Sequence, residues 1–318
     1  MRNLTRLLAA MSVAVGLTAG PHSEAATPGR SVFGLNLSLY GNADQVKDDP
    51  GTQRLLRSWH VPFVRVPMRP SLSDAVLSDA LRAVRNIGAI PVVILNGPGE
   101  LPDDNAVLVR DLHDLELVRQ VFRDHPVYLE YGNEDDLAHG VTAQRYTTSW
   151  NAVISTIKTG APDRYKFVGP ANYQSDPGYV GTFVAGAHPR PDFVSWHEYV
   201  CTAANTSTCT SHLANWTKHA TAVNAAEQSA IGGTLPFLIT EWNADPANSP
   251  ADEALYADPA FIQPWTGAAI GELRSLIPLG LAGAMIYTAS DHDDFALVTP
   301  GPTPTPQGET FERVRRGK

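Results

Sequence analysis

Two glutamates of this chain stand where acid–base chemistry is possible. Glu134 follows an apolar run in Tyr131-Gly132-Asn133-Glu134-Asp135-Asp136. Glu241 follows another in Leu238-Ile239-Thr240-Glu241-Trp242-Asn243. A facing pair of carboxylates can cleave a glycosidic bond. One gives a proton to the leaving oxygen, and the other attacks, or activates water, from the opposite face. A single Glu at the end of such a run is more often an ordinary loop acid. Two in matching positions, one preceded by Asn and one followed by Trp, are harder to assign to chance.

Other polar residues occupy equivalent places. Arg65 lies in Phe63-Val64-Arg65-Val66-Pro67. A cation there would keep a neighbouring carboxylate ionised, and it would serve equally as a barrel-lining ion pair. Trp196-His197-Glu198-Tyr199 ends a further run. Asn36, Asn96, Asn172 and Tyr173 follow three more, as sugar-binding groups or as residues that shape loops. Tyr287 ends the last run, and its ring offers a flat apolar face. Asp291-His292-Asp293-Asp294 reads first as a solvated loop. It lacks the Gly and the distal Glu of a calcium-binding EF-hand loop, and a polar wall beside the substrate is the other reading.

What must position these residues is a set of eight short runs of β type: Val32-Leu37, Pro62-Val66, Ile90-Leu95, Val127-Tyr131, Lys166-Val168, Asp192-Trp196, Pro236-Thr240 and Ala282-Tyr287. Most are continuously apolar, as parallel strands buried on both faces are. Amphipathic helical patterns lie between them: about Ser73 to Ile87, Asn105 to Phe122, Thr142 to Lys158, Ser211 to Ile231 and Phe261 to Leu276. A weaker one covers Tyr179 to Ala187, and Gln307 to Arg316 closes the chain. Eight β-then-α units predict an α/β fold, a single-domain (β/α)8 barrel. A doubly wound sheet would usually carry a glycine-rich turn after its first strand; Gly34-Leu35-Asn36-Leu37-Ser38 has none. In a barrel, catalytic groups sit at the C-terminal strand ends, which is where both glutamates fall.

At strands four and seven the chain resembles the large clan of retaining (β/α)8 glycosidases that includes cellulases, mannanases, xylanases and arabinofuranosidases. Their hallmark is Asn-Glu ending strand four and Glu ending strand seven. The resemblance implies that Glu134 is the acid/base and Glu241 the nucleophile. It implies that Asn133 bonds the sugar 2-hydroxyl, that Arg65 touches the nucleophile, and that His197 or Tyr199 orients it. Asn36, Arg65, Asn133, His197, Tyr199, Trp242 and Tyr287 form the expected substrate site. At strand eight the chain departs from the clan: Tyr287 stands in Ala284-Met285-Ile286-Tyr287-Thr288 where many members have Trp.

The 318 residues carry a formal charge of −9, which disfavours nucleic acid or anionic lipid as the main partner. Arg2 and Arg6, the apolar run Leu7 to Ala19, and Ser23-Glu24-Ala25 form an export-signal pattern with cleavage after Ala25. This gives a signal at 1–25 and a catalytic barrel at 26–318, secreted and without a membrane anchor. The apolar run is short for a membrane span. Cys201 and Cys209 would pair in an oxidising compartment. The alternative is two free thiols, since a zinc site needs two more ligands and only His212 is near. A carbohydrate substrate, no cofactor and a monomer are expected. A metal-dependent hydrolase on the same barrel, a carbohydrate-binding barrel without catalysis and a structural surface protein stay as rivals. The first usually needs a His-x-His pair on strand one, which is absent here.

Overall fold

The computed structural model describes residues 31–202, 204–246, 250–290 and 296–317. The export-signal reading and the Asp291–Asp294 loop lie outside these. Eight parallel strands close into a barrel in sequence order: β1 (Phe33–Asn36), β2 (Phe63–Pro67), β3 (Ile90–Leu95), β4 (Val127–Tyr131), β5 (Tyr165–Asn172), β6 (Phe193–Tyr199), β7 (Phe237–Asn243) and β8 (Leu281–Ile286). β1 pairs with both β2 and β8, which closes the ring. The chain is therefore a (β/α)8 barrel. No described helix is long and apolar enough to cross a membrane.

The helices start and stop where local chemistry directs. Ser73 caps the helix Asp74–Ile87 by accepting from Val76 N, and Gly88 ends it in the left-handed region. Asp103 caps Asp104–Phe122, and Thr142 caps Ala143–Gly160. These side chains satisfy backbone N–H groups that have no partner inside the helix. One helix of the outer ring, Pro50–Trp59, was not foreseen from the sequence. Only Thr52, Leu56 and Trp59 of it are buried, too sparse a stripe to stand out.

The interior of the barrel is layered. Phe63, Val92, Val168, Leu238 and Met285, from five different strands, form an apolar plug separate from the main core. Above it lies a polar layer containing Arg65 and Glu130, both almost fully buried. The main core packs outward-facing residues of the strands against the helices. This division follows from strand geometry: alternate residues point to opposite faces. Phe63 and Arg65 point in, and Val64 and Val66 point out.

The register shifts at several places, one of them at Ala282 in β8, and two of the shifts bear on the site. In β5, Pro170 pairs with Ser195 and Asn172 with Trp196, so Ala171 is an extra residue, with φ of 53°. In β7, Ile239 pairs with Trp196 and Glu241 with His197, so Thr240 is extra. Such bulges re-aim the side chains that follow them. Leu238 points into the plug; without the bulge, Glu241 would point away from the barrel axis.

Candidate active site

Glu134 and Glu241 face one another across the barrel mouth. Glu134, His197 and Glu241 each bring one side-chain oxygen or nitrogen to within 4.8 Å of the other two. The backbone presents Glu134 from an unusual conformation, with φ 53° and ψ 33°. This region is sparsely populated by non-glycine residues. It is held by Glu134 N donating to Ala171 O at 2.9 Å, and by Glu134 O accepting from Ala138 N at 2.7 Å at the start of the short helix Asp135–Ala138. The Ala171 bulge thus supplies the acceptor that fixes Glu134.

Just before this turn, Gly132 has φ of +76°, and a Cβ there would meet Asp135 Oδ2 at 2.1 Å. Only glycine admits both the backbone and the tucked carboxyl. Burial, aided by the charges on Glu100 and Asp136, pushes Asp135 up to about 8. Asp136 instead accepts from Tyr173 N at 3.1 Å. Asp136 therefore braces the turn, while the Asp135 carboxyl lies packed against Gly97 and Gly132.

Arg65 organises the floor. Its Nη1 donates to Glu241 Oε1 at 2.5 Å, its Nε to Glu130 Oε2 at 2.5 Å, and its Nη2 to Asn133 Oδ1 at 2.7 Å. Asn36 Oδ1 also accepts from Arg65, at 3.3 Å, while the Asn36 NH2 donates to the Thr240 and Met285 carbonyls. The Asn36 amide is thus taken up within the barrel. Tyr199 Oη donates to Glu241 Oε2 at 2.8 Å. Burial opposes a charge on Glu241. The His197 and Arg65 charges and the hydrogen bonds from Tyr199 and Arg65 outweigh it and hold Glu241 below the usual carboxylate range.

Two residues expected at the substrate site, His197 and Trp242, do not line the cavity. His197 is fully buried and does not line the cavity. Its Nδ1 lies 2.6 Å from Glu134 Oε1 and 3.7 Å from Glu241 Oε2, so it stands behind the two carboxylates. Burial opposes a charge on the imidazole, but the two carboxylates raise its pKa overall. Trp242 is fully buried on the other face of β7, against Trp216, Trp265 and Phe311. With Glu241 pointing inward, its neighbour along the strand must point out.

Asn36, Arg65, Asn133, Glu134, Tyr199, Glu241 and Tyr287 do line one cavity of about 510 Å³. Tyr173 lines it too. Asn96 does not: its amide is bonded to Asp111 and Asp114. Asn172 is buried beneath the mouth. The sequence reading missed Tyr40 and Arg69 on the cavity wall. The Arg69 guanidinium lies 4.3 Å from the Tyr40 ring centre, and the Tyr287 hydroxyl donates to Tyr40 Oη at 2.9 Å. It also missed Glu130. A charged residue inside the apolar run of β4 was a readable signal, because a buried acid needs a partner.

No protein-family model matches the chain, and comparison with curated proteins finds no match. Solved structures do match. A family 51 alpha-L-arabinofuranosidase from Bifidobacterium longum aligns with TM-score 0.67 and 14% identity, over 90% of this chain and 72% of that one. A glycoside hydrolase family 5 protein from Streptomyces cattleya, in complex with Manb1-4GlcNAc, aligns with TM-score 0.60 and 16% identity, over 91% and 81%. The chain shares the barrel of these glycosidases. An oligosaccharide-binding protein of family 128 from Trichoderma gamsii also matches, with TM-score 0.54 and 15% identity, over 92% and 96%. At these identities the likeness establishes the fold, and what happens in the mouth has to be argued from the residues there. Cys201 and Cys209 are joined by a disulfide just beyond β6.

Proposed function

We propose that this protein is a secreted glycoside hydrolase that acts by double displacement with retention of anomeric configuration. Glu241 attacks the anomeric carbon, and Glu134 protonates the departing oxygen and then deprotonates the incoming water. The observation that carries the reading is the approach of the Glu134 and Glu241 carboxyl oxygens to within 4.8 Å. Retaining enzymes hold the two carboxyl groups about 5–5.5 Å apart and inverting ones about 6.5–9.5 Å apart; an oxygen from each glutamate within 4.8 Å of the other favours the shorter spacing.

The surroundings support the division of roles. Glu241 has two hydrogen-bond donors, one of them a cation, and is kept ionised for attack. Glu134 touches no guanidinium among the described residues and instead meets His197. Whichever atom holds it, one proton lies in that 2.6 Å contact, next to the group that must give and take a proton. The export pattern at 1–25 and the Cys201–Cys209 bond support secretion.

Hydrolysis of a panel of 4-nitrophenyl glycosides, with the anomer of the first-formed product read by NMR, tests the proposal. An inverted product would end the retaining mechanism. The non-catalytic binding barrel is the second reading, favoured by the family 128 likeness. Saturable binding of oligosaccharides with no turnover of any glycoside would select it.

A further inference from the structure

Arg65 and Arg69 are the cationic side chains that line the cavity at the barrel mouth. Arg65 is committed to Glu130, Glu241 and Asn133. Arg69, just beyond β2, is held differently. Its Nε donates to Leu39 O at 3.1 Å and its Nη2 to Ser38 O at 3.2 Å. Leu39 stands in the left-handed region, with φ of 43°, which few residues other than glycine adopt. The chain after β1 thus turns two successive carbonyls onto one edge of the guanidinium. The Tyr40 ring covers a face of it at 4.3 Å, and the Tyr287 hydroxyl bonds that of Tyr40. Backbone carbonyls fix the group without neutralising it. The remaining N–H groups on Nη1 and Nη2 have no acceptor among the described residues. Glu100 lines the same cavity but forms no ion pair with Arg69, and burial raises the Glu100 pKa.

We propose that Arg69 is a specificity-determining residue that selects an acidic sugar, by holding the carboxylate of a uronic acid residue in this cavity. This rests on the glycosidase reading above for a sugar as the ligand, and the unpaired guanidinium names the class of sugar. A cation without a counter-charge on the wall of a concave site draws anions toward it. Its planar fork of N–H groups matches a carboxylate, whose two oxygens accept side by side. The fork is also set before the ligand arrives, because one edge is already bonded to Ser38 O and Leu39 O and one face is covered by Tyr40. Little side-chain freedom is then lost on binding.

The test uses pairs of sugars that differ only at the carboxylate. Oligomers of galacturonic, glucuronic and mannuronic acid are set against their carboxyl-reduced counterparts, and binding to the full chain is read by isothermal calorimetry. Each 4-nitrophenyl glucuronide is set against the glucoside, and kcat/KM is read by nitrophenol release. The acidic member should be favoured roughly tenfold or more, as one hydrogen bond to a charged group allows. The preference should shrink as salt is added. Arg69→Met should bring the ratio close to one. Arg69→Lys, which keeps the charge and loses the planar fork, should retain part of it. A thermal melt establishes that each variant folds. No preference for the acidic member in any wild-type pair, or a preference that Arg69→Met leaves whole, would overturn the inference. Turnover of neutral glycosides alone would overturn it and leave the glycosidase intact. An acidic preference lost in Arg69→Met, with no turnover of any glycoside, would keep the Arg69 site and overturn the glycosidase reading.

Discussion

His197 Nδ1 lies 2.6 Å from Oε1 of Glu134, beneath the mouth of the barrel and out of reach of solvent. The contact joins Glu134 to a buried imidazole, while Arg65 and Tyr199 are turned toward Glu241. The two glutamates thus sit in different surroundings within one small site, which is how a pair of like groups comes to do unlike work.

Replacing each glutamate should separate the proposed roles. Glu134→Ala removes the proton donor, so glycosides with poor leaving groups should lose roughly 10²–10⁴-fold in rate. Activated aryl glycosides should keep their first step, and azide should rescue the second. Glu241→Ala removes the attacking group, and both substrate types should fail. Equal slowing of good and poor leaving groups by Glu134→Ala would reverse the assignment.

Tyr199→Phe should move the acidic limb of the pH–rate profile upward. As the proposed nucleophile Glu241 must be ionised, and the Tyr199 hydroxyl helps hold it below the usual carboxylate range. Removing that donor raises its pKa, so activity is lost at a higher pH as the solution is acidified. The ring stays, and kcat/KM measured from pH 3 to 7 reads the shift. An unmoved acidic limb would mean that Glu241 ionisation does not set it.

Arg65→Met should destabilise the fold. The guanidinium compensates Glu130, which is fully buried, as well as Glu241. Breaking a buried pair by removing one partner typically costs about 3–5 kcal/mol. Urea unfolding should show this, and the Arg65→Met/Glu130→Gln double variant should recover part of it. A loss under about 1 kcal/mol in the single variant would show that the barrel floor tolerates the bare carboxylate.

Glu227 should make stability fall as pH rises. It is buried on the helix Asn215–Ile231 and accepts from Leu235 N at 3.0 Å. Burial pushes it up to about 7 from an ordinary 4.5. The folded state then holds a proton that the unfolded chain has released, so stability is present below about pH 4.5 and is lost as pH climbs through about 7. Glu227→Gln keeps an acceptor for Leu235 and removes the titration. It should raise the melting temperature at pH 8 and change it little at pH 4.

The Cys201–Cys209 bond closes a short loop and should contribute roughly 2–3 kcal/mol. Guanidinium unfolding of the Cys201→Ser/Cys209→Ser variant measures this directly. Two reactive thiols in the denatured, unreduced protein would show that the bond does not form.

The sequence by itself determined the number and order of the barrel strands, because each is a short apolar run that only a doubly covered parallel sheet buries. It also determined the places of Glu134 and Glu241, because strand ends could be read directly. It did not determine which side chains those ends turn inward. Simple alternation from Leu238, which fills the plug, would send Glu241 out toward the helices. The extra residue at Thr240 reverses this, bringing Glu241 in and burying Trp242 outside. The extra residue at Ala171 likewise offers the carbonyl that holds Glu134 in its turn. A bulge is set by the register of one strand against its neighbours, which are far away in the chain. The local pattern therefore carries no trace of it, and only the closed barrel decides where it falls.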